Sequence, residues 1–260
     1  MKSTTLATAL AVLLVPAIGS ATPHANPFSY PYQTLAEGAL EIEQYTDLTP
    51  VRVQREKDDG TLEGVFGVRA ALLTEIEYGL TDRLEVGWYF AFNQGASAGD
   101  SALTFDGVKQ RLRYRFADTG ELPVDIGLYL EVAELHDEIE FEEKILLAKQ
   151  IGSLNLVANL WVEQEYKFQD KVTEHLFNPT VGFNYELSPR YIIGAEYWAR
   201  GVFEHAGEAV HYAGPTFLFQ RDKISFALGI YSRLDALGKS AIVDDPYGKL
   251  YARAIVAVDL

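Results

Sequence analysis

Residues 65–93, VFGVRAALLTEIEYGLTDRLEVGWYFAFN, constrain the fold more than any other stretch of this chain. Two alternating runs flank a short break at Gly79-Leu80-Thr81-Asp82-Arg83. In the second run Leu84, Val86, Trp88, Phe90 and Phe92 share one face, and Glu85, Gly87, Tyr89, Ala91 and Asn93 share the other. A strand sends successive side chains to opposite faces, so the stretch predicts a hairpin with one apolar and one mixed face. The pattern returns along the chain, and no amphipathic helix follows to cover the apolar faces. Closing the hairpins into a barrel, apolar face toward lipid, satisfies every strand at once.

The predicted fold is therefore all-β, a transmembrane antiparallel up-and-down β-barrel of about twelve strands. Beside the opening hairpin, strands are expected over 38–46, 105–116, 124–133, 139–150, 154–166, 176–187, 191–200, 209–220, 224–231 and 247–260. A polar loop is expected over 47–61, and longer loops over 94–104 and 232–246. An even strand number, with short turns at one end and long loops at the other, is the bacterial plan; it places the short turns in the periplasm. Strand 139–150 is the least regular, because Glu143 and Lys149 fall on the side of Phe141, Ile145 and Leu147. A bulge near Glu142 would return Glu143 to the interior.

The N-terminus reads as a secretory signal. Lys2 supplies the charge, residues 6–18 the apolar core, and Gly19-Ser20-Ala21 the small residues of a cleavage site. The organisation is then a signal peptide over 1–21, a Pro-rich periplasmic segment over 22–37, and the barrel over 38–260. Nothing after the signal approaches the roughly 20 apolar residues of a membrane helix. A hydrophobic content of 48% in 260 residues suits a barrel, in which every second residue faces lipid. With no Cys, stability must come from hydrogen-bonded closure rather than from disulfides. A net charge of −15 argues against nucleic acid as a partner.

The sharpest chemical feature is Lys109, Arg111, Arg113 and Arg115 at alternate positions. On a lipid face each would cost about 2–4 kcal/mol at mid-depth, so all four are expected to point inward. They could line a pore and set its selectivity. They could equally pair with Glu75, Glu77 and Glu85 on one side and Asp125 and Glu131 on the other. Further inward candidates by alternation are Arg69, Arg200, Arg253, Glu41, Glu43, Glu163, Glu165, Glu186 and Glu196. Eight strands leave an interior filled by side chains and sixteen leave a water channel, so twelve allow a narrow pore or a plugged one. His24, His136, His175, His205 and His211 sit in no serine-nucleophile motif, and no catalytic residue or cofactor is assigned. The acidic run Glu134, His136, Asp137, Glu138 and Glu140 lacks the spacing of a calcium loop and reads as a solvated loop, so no metal site is assigned.

The last residues, YARAIVAVDL over 251–260, alternate strictly. They resemble the C-terminal signal that outer-membrane barrels present to their assembly machinery, with Leu260 where Phe or Trp usually stands. The pieces QTLAEGALEIEQY (33–45) and EIEYGLTDRLEV (75–86) resemble Gram-negative outer-membrane barrels, some of them labelled transporters of a phenol-degradation pathway. That resemblance implies an outer-membrane location, with lipid and small solutes as partners. The expected function is an outer-membrane channel or transporter for passive passage of small solutes; the alternative is a structural or surface-binding barrel with a closed lumen, and the third reading an outer-membrane hydrolase.

Overall fold

The computed structural model describes residues 24–96, 102–235 and 248–260. The strands are β1 (Leu40–Glu56), β2 (Leu62–Thr81), β3 (Leu84–Gln94), β4 (Leu103–Arg115), β5 (Asp125–Leu135), β6 (Glu138–Ile151) and β7 (Leu154–Lys167). There follow β8 (Val172–Phe177), β9 (Thr180–Ser188), β10 (Tyr191–Val202), β11 (Val210–Arg221), β12 (Ile224–Arg233) and β13 (Leu250–Asp259). A short 3-10 segment, Phe203–Glu208, kinked at His205, links β10 to β11.

Each strand pairs antiparallel with its sequence neighbour, and β13 returns to pair with β1, so the sheet closes. β8 and β9 together fill one place between β7 and β10. The barrel therefore has twelve staves, the eighth interrupted at Asn178-Pro179. Pro179 brings no amide hydrogen to the ladder. The neighbours still close around it: Asn178 N donates to Trp161 O at 2.9 Å and Ala199 N to Pro179 O at 3.1 Å.

Two local expectations are corrected. The predicted loop over 47–61 is mostly strand, with pairing running unbroken from Leu40↔Tyr78 to Glu56↔Leu62 and a turn of only residues 57–61. This hairpin tip is polar because both of its faces meet water, which is what disguised it as loop. Nor is there a bulge in β6, whose register with β7 runs evenly from Glu138↔Lys167 to Ile151↔Leu154. Glu143 accordingly stays on the outer surface, while Glu140, Glu142 and Lys144 are buried inside.

The burial pattern is that of a soluble protein turned inside out. Trp88, Phe90, Leu112, Leu130, Leu160 and Val181 are exposed on the outer surface. Glu85, Arg111, Glu131 and Asn159, on the opposite faces of the same strands, are nearly inaccessible. Aromatic pairs ring both ends: Tyr114–Phe116 and Tyr191–Phe219 toward the short turns, Phe92–Phe105 and Tyr166–Phe168 toward the long loops. Such girdles sit at the two water interfaces of a membrane barrel. No helix among the described residues is long and apolar enough to span a membrane.

The segment before β1 lies elsewhere than the periplasmic position expected for 22–37. Residues 24–35 sit inside the barrel, with Phe28, Tyr32 and Leu35 each 3% exposed or less, and the chain comes out at the short-turn rim, where Glu37 is exposed and its N donates to Asp82. Alternate aromatics at 28, 30 and 32 are too apolar for a free linker, and the interior of a twelve-stave barrel is wide enough to take them. The expected signal peptide and the cores of the two long loops lie outside the described residues.

Candidate functional site: a plugged lumen

The inner wall is best built from β2, β3 and β4. The short turn Asp82-Arg83 sets the β2–β3 register, and the β3–β4 register places Glu85 opposite Arg113 and Gly87 opposite Arg111. Gly87 matters because Arg111 lies across it: a Cβ there would come within 2.7 Å of Arg111 Nε and 2.8 Å of Glu75 Oε1. The guanidinium thus reaches three carboxylates. Arg111 Nε donates to Glu75 at 2.5 Å, Nη1 to Glu85 at 2.6 Å, and Nη2 contacts Glu77. Arg113 Nη2 stands 2.7 Å from Glu85 and 3.3 Å from Glu77.

The two ends of the ladder differ. Lys109, toward the long loops, contacts Glu140 at 2.9 Å, Glu131 at 3.3 Å and Glu142 at 3.8 Å. Arg115, at the short-turn rim, donates to Asp82 O at 2.7 Å and to Asp118 at 2.5 Å. Asp125 lies apart from the ladder and accepts from Gly120 N at 2.8 Å. Elsewhere on the wall Arg253 binds Asp47 through two bonds of 2.7 Å, and Arg200 pairs with Glu165 at 2.5 Å. Glu163 accepts from Asn178 Nδ2 at 2.5 Å. Arg69 borders the cavity at the long-loop end.

The N-terminal segment is held by groups from nearly every stave. Leu35 N donates to Glu85 Oε2 at 2.6 Å, so the same carboxylate serves Arg111, Arg113 and the segment. Asn159 clasps the backbone of Tyr30 from both sides, accepting from its N at 2.7 Å and donating to its O at 3.1 Å. Phe28 N donates to Glu196 at 3.2 Å, and the Ser29 hydroxyl donates to that of Thr180 at 2.7 Å. The Phe28 ring stacks on Trp198 at 4.2 Å between centroids, with Tyr231 and Tyr251 at its edges and the Arg253 guanidinium 4.2 Å away over its face. On β9, Gly182 leaves room for Asn26, whose Nδ2 would lie 2.5 Å from any Cβ there. Lys144, fully buried, stands in a cage of Tyr129, Trp161 and Tyr30 at 3.6, 3.9 and 4.4 Å, and ion-pairs with Glu142. A caged cation of this kind is held by the ring quadrupoles as well as by its carboxylate.

The segment divides the lumen. A cavity of about 420 Å³ opens toward the long loops, between Asp47, Lys109, Glu140, Arg200 and Arg253, with Tyr30 on its border. A second, of about 280 Å³, lies toward the short turns and is bordered mainly by amides and hydroxyls such as Asn155, Asn184, Gln150 and Ser153, with His24 and Asn26 of the segment on its side. The candidates named from alternation are thus spread over five settings: a dry network around Arg111, the wall of the larger cavity, the border of the smaller one at Glu186, the seat of the segment at Glu196, and the short-turn rim at Arg115. Lys144, Asn159 and the aromatic seat of Phe28 were not singled out from the sequence. The regular Phe28, Tyr30 and Tyr32 spacing was the signal available for the segment.

A closed antiparallel barrel with an apolar exterior, two aromatic girdles and an ionised interior defines the class: a transmembrane β-barrel of the Gram-negative outer-membrane type. Solved structures share this fold. An outer-membrane channel from Pseudomonas putida F1 superposes with a TM-score of 0.59 at 11% identity, covering 88% of this chain and 98% of that one. The KdgM porin gives 0.56 at 9% identity over 85% and 99%, and the NanC porin 0.54 at 8% over 85% and 98%. No protein-family model matches the sequence, and no curated protein matches it.

Proposed function

We propose that this chain is an outer-membrane channel for passive passage of small solutes, held in a low-conductance state by its own N-terminal segment. The observation that carries the reading is the pair of cavities on either side of residues 24–35 within one lumen. The wall around them is charged and hydrogen-bonding, as a route for hydrated solutes requires. Two features support a segment that yields rather than a permanent core. It contributes no strand to the sheet, and it is held by side-chain contacts and by hydrogen bonds between wall side chains and its backbone. The structures of like fold named above are a channel and two porins, and solute passage is carried over from them as part of this proposal.

The hydrolase reading has less to stand on. His24 lies against Glu43, His136 against Asp137 and His211 against Tyr197, contacts that build no serine–histidine pair. The test is single-channel recording in planar bilayers of the wild type and of a variant with Phe28→Ala and Tyr30→Ala. Small or rare openings in the wild type and larger, frequent ones in the variant are expected. Silence from both, with folding intact, would instead make this a closed structural barrel.

A further inference from the structure

The interior around β1, β2 and β4 holds more buried carboxyl groups than cations to face them. Five carboxylates, Glu41, Glu43, Glu75, Glu77 and Glu85, are each 2% exposed or less. Two guanidinium groups, Arg111 and Arg113, face them, and both are committed to Glu75, Glu77 and Glu85. Among the described residues, Glu41 has no ion-pair partner, and Glu43 has a Tyr45 hydroxyl at 2.5 Å and the His24 ring at 3.8 Å. Burying an ionised carboxylate without a counter-charge is heavily penalised.

His24 is the second observation. It is 3% exposed, and neither ring nitrogen has a hydrogen-bond partner among the described residues. Residues 25–29 bend, returning the imidazole to the wall with Nε2 facing Glu43. One ligand atom from each of His24, Glu43 and Glu77 lies within 4.8 Å of the others. A buried imidazole with both nitrogens unused, beside two carboxyl groups, is a donor set without its acceptor.

We propose that His24, Glu43 and Glu77 bind a divalent cation of the zinc type, which fastens the N-terminal segment to β1 and β2. One imidazole with two carboxylates suits zinc, whereas calcium takes six to eight oxygen ligands. Glu77 also serves Arg111 and Arg113, but an ionised carboxylate has about four lone-pair sites and can serve all three. Glu41, two residues before Glu43 on the same face, has an unpartnered Oε1 at hand as a further donor. The two other acid trios among the described residues, Glu140–Glu142–Glu163 and Glu138–Glu140–Glu165, are different. Lys109, Lys144, Lys167 and Arg200 already stand against them, so they call for no ion.

The experiment is zinc uptake by the purified, folded mature chain, with metal content measured after dialysis and folding checked by heat-modifiable gel mobility. One zinc per chain is expected, with at least a tenfold loss of affinity in both His24→Ala and Glu43→Gln. Zinc should raise the melting temperature of the wild type and leave that of His24→Ala unchanged. His24 lies outside the strands, so its variant keeps every barrel-forming residue and decides the matter alone if Glu43→Gln does not fold. A folded wild type that takes up no zinc would mean that protons neutralise Glu41 and Glu43, and would overturn the proposal. So would uptake undiminished by His24→Ala, or uptake of calcium in preference to zinc. Metal content is read without any conductance, so this result stands apart from the channel reading.

Discussion

Lys109 and Arg111 are two residues apart on β4 and face the same way, yet they belong to different media. Arg111 lies in a block with no solvent, its guanidinium divided among three carboxylates. Lys109, with a 17% exposed side chain, borders the larger cavity and touches three other carboxylates at looser distances. The sign of their charge does not separate them. Depth relative to the N-terminal segment does, because the segment seals one stretch of wall and leaves the next wet. The lesson is that an inward charge in a barrel is structural where the lumen is filled and electrostatically active where it is not.

This contrast can be broken by mutation, most severely in the dry block. Arg111→Glu removes the partner of three buried acids and adds a fourth. Removing one member of a buried pair costs about 3–5 kcal/mol, and reversal costs more. The expected outcome is loss of the heat-modifiable folded band, and a variant that folds with normal stability would refute the structural role. Next comes the cage that joins wall and segment. Lys144→Met removes about 0.5–2 kcal/mol of cation–π attraction and also the near cation of buried Glu142, which keeps only Lys109 at 3.8 Å, so it should lower the melting temperature by more than the ring contacts alone and raise the open probability in bilayers. Unchanged gating would show that the cage does not hold Tyr30.

Lys109→Glu should cost less stability than Arg111→Glu, because water reaches this wall, and in the folded protein it should shift ion selectivity toward cations by roughly twofold, since charge in a confined passage acts more strongly than on an open surface. A reversal potential equal to wild type in a conducting protein would mean that ions do not pass this wall. The smallest effect is expected at the hairpin tip, where Arg55 and Glu63 pair with side chains 55% and 30% exposed. Arg55→Ala should change stability by less than about 1 kcal/mol and less still in high salt. A larger loss would show that the tip braces the barrel.

Much of this architecture is written in the alternation. On β3, Trp88 and Phe90 outside and Glu85 and Tyr89 inside follow from period two alone, as does the common face of Arg111 and Arg113. Short turns such as Asp82-Arg83 then fix the registers that bring acids beside them. What alternation cannot carry is a segment with no strand partner: Phe28, Tyr30 and Tyr32 alternate, but nothing in one dimension says that their cover is the interior of the barrel that follows. The hairpin beyond Asp47 was missed because strand pairing there no longer coincides with an apolar face. β6 was misread for the opposite reason: Glu143 sits on the outer surface beside Val162 in an even register, where a charge was assumed to demand a bulge. Lys144 was overlooked for that cause as well.

The seat of Phe28 has a consequence for biogenesis. Its walls come from Trp198 on β10, Tyr231 on β12 and Tyr251 on β13, among the last staves to be synthesised, whereas Phe28 itself precedes β1. β1, which follows directly, zips to β13 at the seam, ending with Leu260 N on Leu40 O at 3.0 Å. The leading segment therefore has no complete berth until the final stave is delivered. Its docking is a record that the cylinder is whole, and an unfinished barrel would display a loose, aromatic leader to the proteases that patrol the periplasm.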